Sequence, residues 1–490
     1  MDKKIEISML WQIYGALLTE KQKEYIDYYY NEDLSLSEIA ENEEITRQGV
    51  RDIIKKGEKK LFEYEEKLLF MKKTINQEKL AQSILENLNK IQKESSDKKV
   101  SNILEEVKKE LTTHIIPYWE KLKDDEFGGF YGYRGFDLVL DKKADKGVIL
   151  HSRILWFFSS CYEVLGDKKC AVLADHAYEY VKNHCIDYEM GGVYWMTTYD
   201  GKIADGMKHT YNIAFAVYAL SAYYNASGNI EALHLAEKLF EDIETKTPDE
   251  YGCVEAFTRE WEPADNEALS ENGLHAEKTM NTVLHLIEAY TELYRANRSE
   301  EVAERLKYQL DIVENKIFDH DNNALKVFFD NKFDVIGNIH SYGHDIEASW
   351  LTDRAVEMLG DEELTKKFNA LDLRLAENIY NIALEDGALN NERENDKIDK
   401  KRVWWVQAEG VVGFINAYQH SGDEKYLKAA GTIWEYIKSD IVDKRPEGEW
   451  YSEVSFDHKP HDWKEVTGPW KCPYHNGRMC LEVIKRGIDF

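Results

Sequence analysis

From residue 103 onward the sequence repeats a unit of about 60–70 residues. Each unit reads as an apolar helix, a short turn, a more polar helix and a Gly/aromatic strand-like piece. The apolar helices begin near His151 (HSRILWFFSSCYEVLG), Tyr211, Thr279 (TMNTVLHLIEAYTELY), His344, Trp405 and His475. The pieces between them correspond as well: FGGFYGY, GGVYW, YGCVEAF, NALKVFF, DGALNNE and EGEWYSE. Paired helices in periodic array either stack as an open solenoid or close into a ring. The last unit offers only its apolar helix, while residues 103–120 offer a lone polar one. Pairing the two ends completes a sixth unit, so the spacing predicts an all-α chain built on an (α/α)6 barrel. The apolar helices line its inside, and their N-terminal ends converge on one mouth.

That convergence gathers the polar residues at the helix starts. Arg153, Tyr211, Asn212, Asn281, His285, His344, Glu347, Trp405, Gln407, Glu409 and His475 are expected to face one cavity. Within HSYGHDIEASW, Glu347 follows His344 at i+3, on the same helical face, where a carboxylate can orient an imidazole and raise its basicity. The plainer reading of that pair is a solvated helix face. His340 and His344 are four apart, as metal ligands on a helix are, but Gly343 between them argues against one continuous helix. Three histidines at equivalent ends of a ring, with an arginine and two carboxylates, point to proton-transfer chemistry.

The first hundred residues differ in character. They hold 18 Lys and Arg against 20 Asp and Glu, so nearly all of the net −29 lies in the remainder. A body that acidic repels nucleic acid and anionic membrane at long range. Residues 18–61 read as three short helices: one opened by Thr19, one over 34–40, and one capped by Thr46 that carries Arg47, Arg51, Lys55, Lys56, Lys59 and Lys60. Short helices with a tight turn before a capped basic helix form the helix-turn-helix pattern. The expected division is a helix-turn-helix domain over 1–75, a charged linker over 76–102 and the barrel over 103–490. No run is long and apolar enough for a signal peptide or a membrane span. Six cysteines without CxxC spacing suit a reduced, cytoplasmic protein.

Two resemblances add to this. YGALLTEKQ, SLSEIAE and TRQGVRDIIK, within residues 5–73, resemble the YlxM-type helix-turn-helix family, which is related in pattern to region 4 of sigma factors. That resemblance implies a nucleic acid or signal recognition particle component as a partner; the basic third helix offers Arg47, Arg51 and Lys55 as the contacting residues. From about Leu104 to Phe490, the segments GGFYGY, KGVILHSRILWFFS, MNTVLHLIEAYTELY, SYGHDIEASWL, RVWWVQAE and GPWKCPYHNGRM resemble the N-acylglucosamine 2-epimerase superfamily, closest to its cellobiose 2-epimerase branch. This resemblance implies epimerisation at C2 of the reducing-end glucose of cellobiose or lactose. It implies site histidines at His285, His344 and His475, an arginine at Arg153, an acidic partner of the second histidine at Glu347, and sugar-stacking rings at Trp405 and Trp470.

The C2 hydrogen of a sugar becomes acidic only after ring opening to the aldehyde. One base then removes it to leave an enediolate, and an acid returns a proton on the opposite face. His344 and His475 are assigned as the facing pair, Arg153 as the group holding the oxyanion, and His285, Asn281 and Glu347 as orienting groups. Tyr211 and Glu409 are taken as sugar contacts. No metal or nicotinamide cofactor is called for. Rival readings are a monosaccharide or N-acylglucosamine 2-epimerase, an aldose-ketose isomerase, a glycoside hydrolase using Glu347 and Glu409, and a sugar-sensing DNA-binding regulator.

Overall fold

The computed structural model describes residues 3–32, 34–43, 45–68, 103–266 and 274–490; the linker expected over 76–102 lies outside them. The chain divides into two compact units, Met1–Ser101 and Asn102–Phe490.

In the larger unit the inner helices are Val148–Leu165, Thr210–Ser227, Met280–Asn297, Tyr342–Leu359, Trp404–Ser421 and Tyr474–Arg486. Each packs on the next, and the last packs on both the first and the polar helix Ile103–Glu110. The ring closes from the two ends of the repeat, and the (α/α)6 barrel expected from the sequence is the fold found. Apolar composition explains which helices go inside: every residue from Val148 to Cys161 is buried. The outer helices bury one stripe only, as in Ile230–Lys246, where Ala232, Leu233, Ala236, Leu239, Phe240 and Ile243 recur at helical spacing. Five inner helices stop at a glycine in the left-handed region, at 166, 228, 360, 422 and 487, which closes the short turn to the next element. Arg298 takes that place in the third, at φ 53°.

The strand-like pieces are antiparallel pairs two or three residues long, several of them running directly into an inner helix. Lys208–His209, for example, pairs with Ala256–Phe257 and leads into Thr210. Buried ion pairs fasten these connections. Lys146, just before the first inner helix, meets Asp124 at 2.7 Å, and Lys208, before the second, meets Asp187 at 2.8 Å. Lys278 meets Asp249, which is partly open to solvent, before the third. Removing one partner of such a pair leaves the other charge buried and uncompensated. Lys146→Met is therefore expected to cost about 3 kcal/mol of stability, read as a lower urea midpoint.

The smaller unit has one helix more than the sequence reading gave. Lys3–Tyr14 precedes Glu20–Tyr30, Leu36–Asn42 and Arg47–Leu68. Its Ile7, Leu10 and Tyr14 follow helical spacing and enter the small core with Tyr25, Ile26, Ile39, Val50, Ile54 and Leu61. The sequence reading, whose helices begin at Thr19, did not include it. Capping boxes at Thr19/Gln22 and Ser35/Glu38 start the next two helices. The Thr46 hydroxyl accepts from the Gly49 amide at 3.1 Å and starts the last, which exposes Arg47, Arg51, Lys55 and Lys59.

Candidate active site

A side chain in the first turn of a helix leans back over its N-terminal end. The inner helices therefore present their opening residues to the mouth, and the three histidines emerge there. His285 and His475 are buried and His344 is half-buried. The Trp405 ring lies between two of them, its centroid 4.8 Å from that of His344 and 5.4 Å from that of His475. A side-chain carbon at Gly343 would run into the Trp405 ring. That glycine is the space the ring occupies and not a break in the helix.

Behind the histidines stands a buried charge network that the sequence reading did not name. Arg478, fully buried, donates to Glu288 at 2.6 Å and to Glu409 at 2.8 Å, and pairs closely with Glu347. Glu409 in turn accepts from Trp350 Nε1 at 3.0 Å and from His475 Nδ1 at 2.7 Å. Glu288 accepts from His285 Nδ1 at 3.0 Å and from the Tyr474 hydroxyl. An imidazole that donates from Nδ1 keeps its lone pair on Nε2, so these carboxylates fix one tautomer of His285 and one of His475. Glu288 and Arg478 lie three residues after His285 and His475, the same spacing that singled out Glu347. Applying that rule to all three histidines would have found them.

Two site residues are placed differently from expectation. His344 and Glu347 share a face but form no hydrogen bond; His344 Nδ1 meets the Ser341 hydroxyl at 2.7 Å, because the ring folds back onto the residue that precedes its helix. Glu347 turns instead to the guanidinium of Arg478, the stronger partner for a buried carboxylate. Glu409 is fully buried and spends its oxygens on Arg478, Trp350 and His475, so it supports His475 and is not a sugar contact.

Arg153 is carried by the first inner helix. It donates to the Tyr211 hydroxyl at 2.8 Å, and its guanidinium carbon sits 4.3 Å from the Phe215 ring centroid and 4.8 Å from that of Tyr474. Trp470 is 6.0 Å from the Tyr211 ring and remains 38% exposed, free to meet a ligand face. Asn281, half-buried, opens the third inner helix, and its side-chain oxygen is buried without a hydrogen-bond partner.

Burial sets the protonation states. It pushes His344 down to about 4 against the opposing pull of the Glu347 carboxylate, and holds His475 well below the usual imidazole range. Both rings are thus neutral at neutral pH and able to accept a proton. Burial alone would raise Glu288, but Arg478 and His285 hold it well below the usual carboxylate range. Burial raises Glu409 despite Arg478. Ligand atoms of Glu347, Glu409 and His475 lie within 4.8 Å of one another, a spacing a metal could use. Arg478 Nη2 already bridges the two carboxylates and supplies the positive charge. His340, the other candidate ligand, gives its Nε2 to Asp345 at 2.6 Å.

Residues 128–477 match the family described as N-acylglucosamine 2-epimerase (GlcNAc 2-epimerase), and residues 1–103 match helix-turn-helix proteins described as YlxM / p13 like. A cellobiose 2-epimerase of Ruminococcus albus is 67% identical over 387 residues, 79% of this chain and 100% of that enzyme. The crystal structure of a sugar epimerase from a ruminal bacterium, 66% identical, superposes with a TM-score of 0.79 over 79% of this chain and 100% of its own. A UPF0122 protein of Clostridium botulinum is 46% identical over 88 residues, 18% of this chain and 81% of that protein.

Proposed function

This chain belongs to the N-acylglucosamine 2-epimerase family over residues 128–477 and to the YlxM / p13 like helix-turn-helix family over residues 1–103, and on that premise we propose that it interconverts cellobiose and its mannose-ended epimer. The observation that carries this reading is the pair of neutral imidazoles, His344 and His475, set against the two sides of the Trp405 region. In the proposed reaction the sugar ring opens, His475 Nε2 takes the C2 proton, and Glu409 stabilises the imidazolium formed. His344, having taken up a proton from solvent, delivers it to the other face of the enediolate, and His475 releases the C2 proton to solvent. The serine hydroxyl at His344 Nδ1 can donate or accept, so this ring can serve as acid in one direction and base in the other. Arg153 holds the developing oxyanion. Trp405 and Trp470 offer flat faces to the C–H patches of a neutral disaccharide, and Tyr211 and Asn281 offer polar contacts beside them.

Incubation with cellobiose, followed by sugar analysis, tests the reading. Glucosyl-mannose is the expected product. Free glucose would indicate hydrolysis, and a fructose-ended disaccharide would indicate aldose-ketose isomerisation.

The smaller unit is proposed to contact nucleic acid through Arg47, Arg51 and Lys55, which stand exposed along the helix after the tight turn. That 79% of the chain matches the whole length of the Ruminococcus albus enzyme supports an epimerase unit that works without the N-terminal one. A chain starting at Asn102 is expected to keep its kcat/KM within about twofold and to lose any salt-dependent binding to DNA or RNA. No helix among the described residues is long and apolar enough to cross a membrane. All six cysteines are free thiols, which suits the reducing cytoplasm.

A further inference from the structure

Glu255 lies just behind the site, on the connection that leads to the Ala256–Phe257 strand, and only 1% of it is exposed. Its Oε1 accepts from the backbone amide of Tyr211 at 3.2 Å, in the first turn of the second inner helix. Its Oε2 is bonded to the Thr282 hydroxyl, in the first turn of the third. Its backbone carbonyl accepts from the Thr210 amide at 2.9 Å. One residue thus spans the openings of two neighbouring inner helices, and those openings carry Tyr211, Asn281 and His285. Sequence alone gave no sign of this, because Glu255 lies within the strand-like piece YGCVEAF and belongs to no helix start.

We infer that Glu255 is a positioning residue of the epimerase site, acting as a neutral carboxylic acid that ties the two helix starts and so sets Tyr211, Asn281 and His285 in register. The inference rests on the epimerase reading. The surroundings supply the reason for the neutral form. His209, on the neighbouring strand, has its Nδ1 4.0 Å from Glu255 Oε1, and that nitrogen has no hydrogen-bond partner. Burial pushes His209 down to about 4, so it carries no charge at neutral pH. Lys208 and Lys278, on the adjoining strands, are committed to Asp187 and Asp249. The remaining titratable neighbours, Tyr211 and Cys253, are both raised by burial and stay neutral. With no cation to meet it among the described residues, burial raises Glu255 to about 8, against the pull of Thr282 and the Tyr211 amide. As an acid it keeps both bonds, Oε1 to the Tyr211 amide and Oε2 to the Thr282 hydroxyl, with no net charge in the dry space. Ionisation leaves a charge among buried groups.

The sign of the linkage follows. The folded protein holds this proton up to pH 8 or so, whereas the unfolded chain releases it near 4.5. The neutral tie therefore stabilises fully below the lower value, and its contribution is lost as pH rises through the higher one. Glu255→Gln keeps the shape and a donor but cannot ionise.

The test compares wild type, Glu255→Gln and Glu255→Ala across pH 5–9.5, by kcat and KM on cellobiose and by thermal midpoint. Wild-type turnover of cellobiose at pH 7 stands as the separate check of the epimerase reading. Glu255→Gln is expected to match wild type within about threefold at pH 6–7 and to retain activity above pH 8, where wild type declines. Its thermal midpoint should gain on wild type steadily as pH rises. Glu255→Ala is expected to lose about tenfold in kcat/KM at every pH, as one buried hydrogen bond lost at each helix start would give. A Glu255→Gln protein that folds but is inactive throughout would overturn the inference, since the carboxylate would then be the working form. So would an alkaline limb and a midpoint profile that coincide with those of wild type. The midpoint comparison reads the protonation of Glu255 even if cellobiose proves not to be the substrate.

Discussion

His475→Asn is expected to lower epimerisation by on the order of 10³-fold or more while the protein stays folded. The ring is the group that Glu409 prepares as a base, through the 2.7 Å bond to Nδ1 that keeps the lone pair on Nε2. Asparagine fills much of the space and can still meet Glu409, but it offers no basic nitrogen. His344→Asn should fall by a similar factor, since each direction of a reversible epimerisation needs one group on each face of C2. A loss in kcat with little change in KM would place both rings at the chemical step. The structure also moves the acid limit of the reaction. An unperturbed imidazole base would lose activity near pH 6.5, whereas burial takes His344 down to about 4. Activity in kcat/KM is therefore expected to persist through pH 5 and to fall only as pH drops towards 4, where the ring takes up its proton. A limb centred at pH 6 to 7 would mean that the free site is far wetter than its burial indicates.

Arg478→Met carries the largest expected loss of stability. The guanidinium is fully buried and serves Glu288, Glu347 and Glu409 together. Without it three carboxylates share one dry space, and removing a single partner from a buried ion pair already costs about 3–5 kcal/mol. The survivors would answer by holding protons. Their folded pKa values would then stand above the unfolded ones, so the variant loses stability as pH rises through that range. Urea unfolding at pH 5 and pH 8 is the check, with the deficit against wild type expected to be greater at pH 8. In wild type the sign is reversed at Glu288, which Arg478 and His285 hold below the carboxylate range. Its contribution is present above about pH 4.5 and is lost in strong acid. Activity of Arg478→Met should also collapse, because Glu409 would no longer be fixed behind His475.

The barrel was legible because its cause is local and repeated. Apolar runs that begin at corresponding points and end at Gly166, Gly228, Gly360, Gly422 and Gly487 mark the inner helices, and a missing partner at each end marks the closure. Even where Arg298 replaces the terminal glycine, the run itself carries the reading. The histidines were legible for the same reason, as polar residues at helix starts whose other members are apolar. What could not be read is contact between distant helices. Arg478 meets Glu288 across 190 residues and Glu347 across 131; the i, i+3 spacing marks each of the three beside its histidine, but not that one guanidinium serves both carboxylates. The i, i+3 spacing of His344 and Glu347 is real, yet a distant guanidinium and a nearby serine hydroxyl took the two groups apart. Glu255 shows the same limit, since its importance lies in two amide and hydroxyl partners, 44 and 27 residues away.

The most direct test of two imidazoles working across an enediolate is early turnover of cellobiose in D2O, with the C2 position of both sugars read by NMR or mass spectrometry. In the proposed reaction the histidine that removes the C2 hydrogen is not the one that returns it. Glucosyl-mannose formed in the first few per cent of reaction should therefore carry deuterium at C2, while the remaining cellobiose carries none there. Glucosyl-mannose that keeps the original C2 hydrogen, or cellobiose that gains deuterium as fast as product forms, would contradict the account.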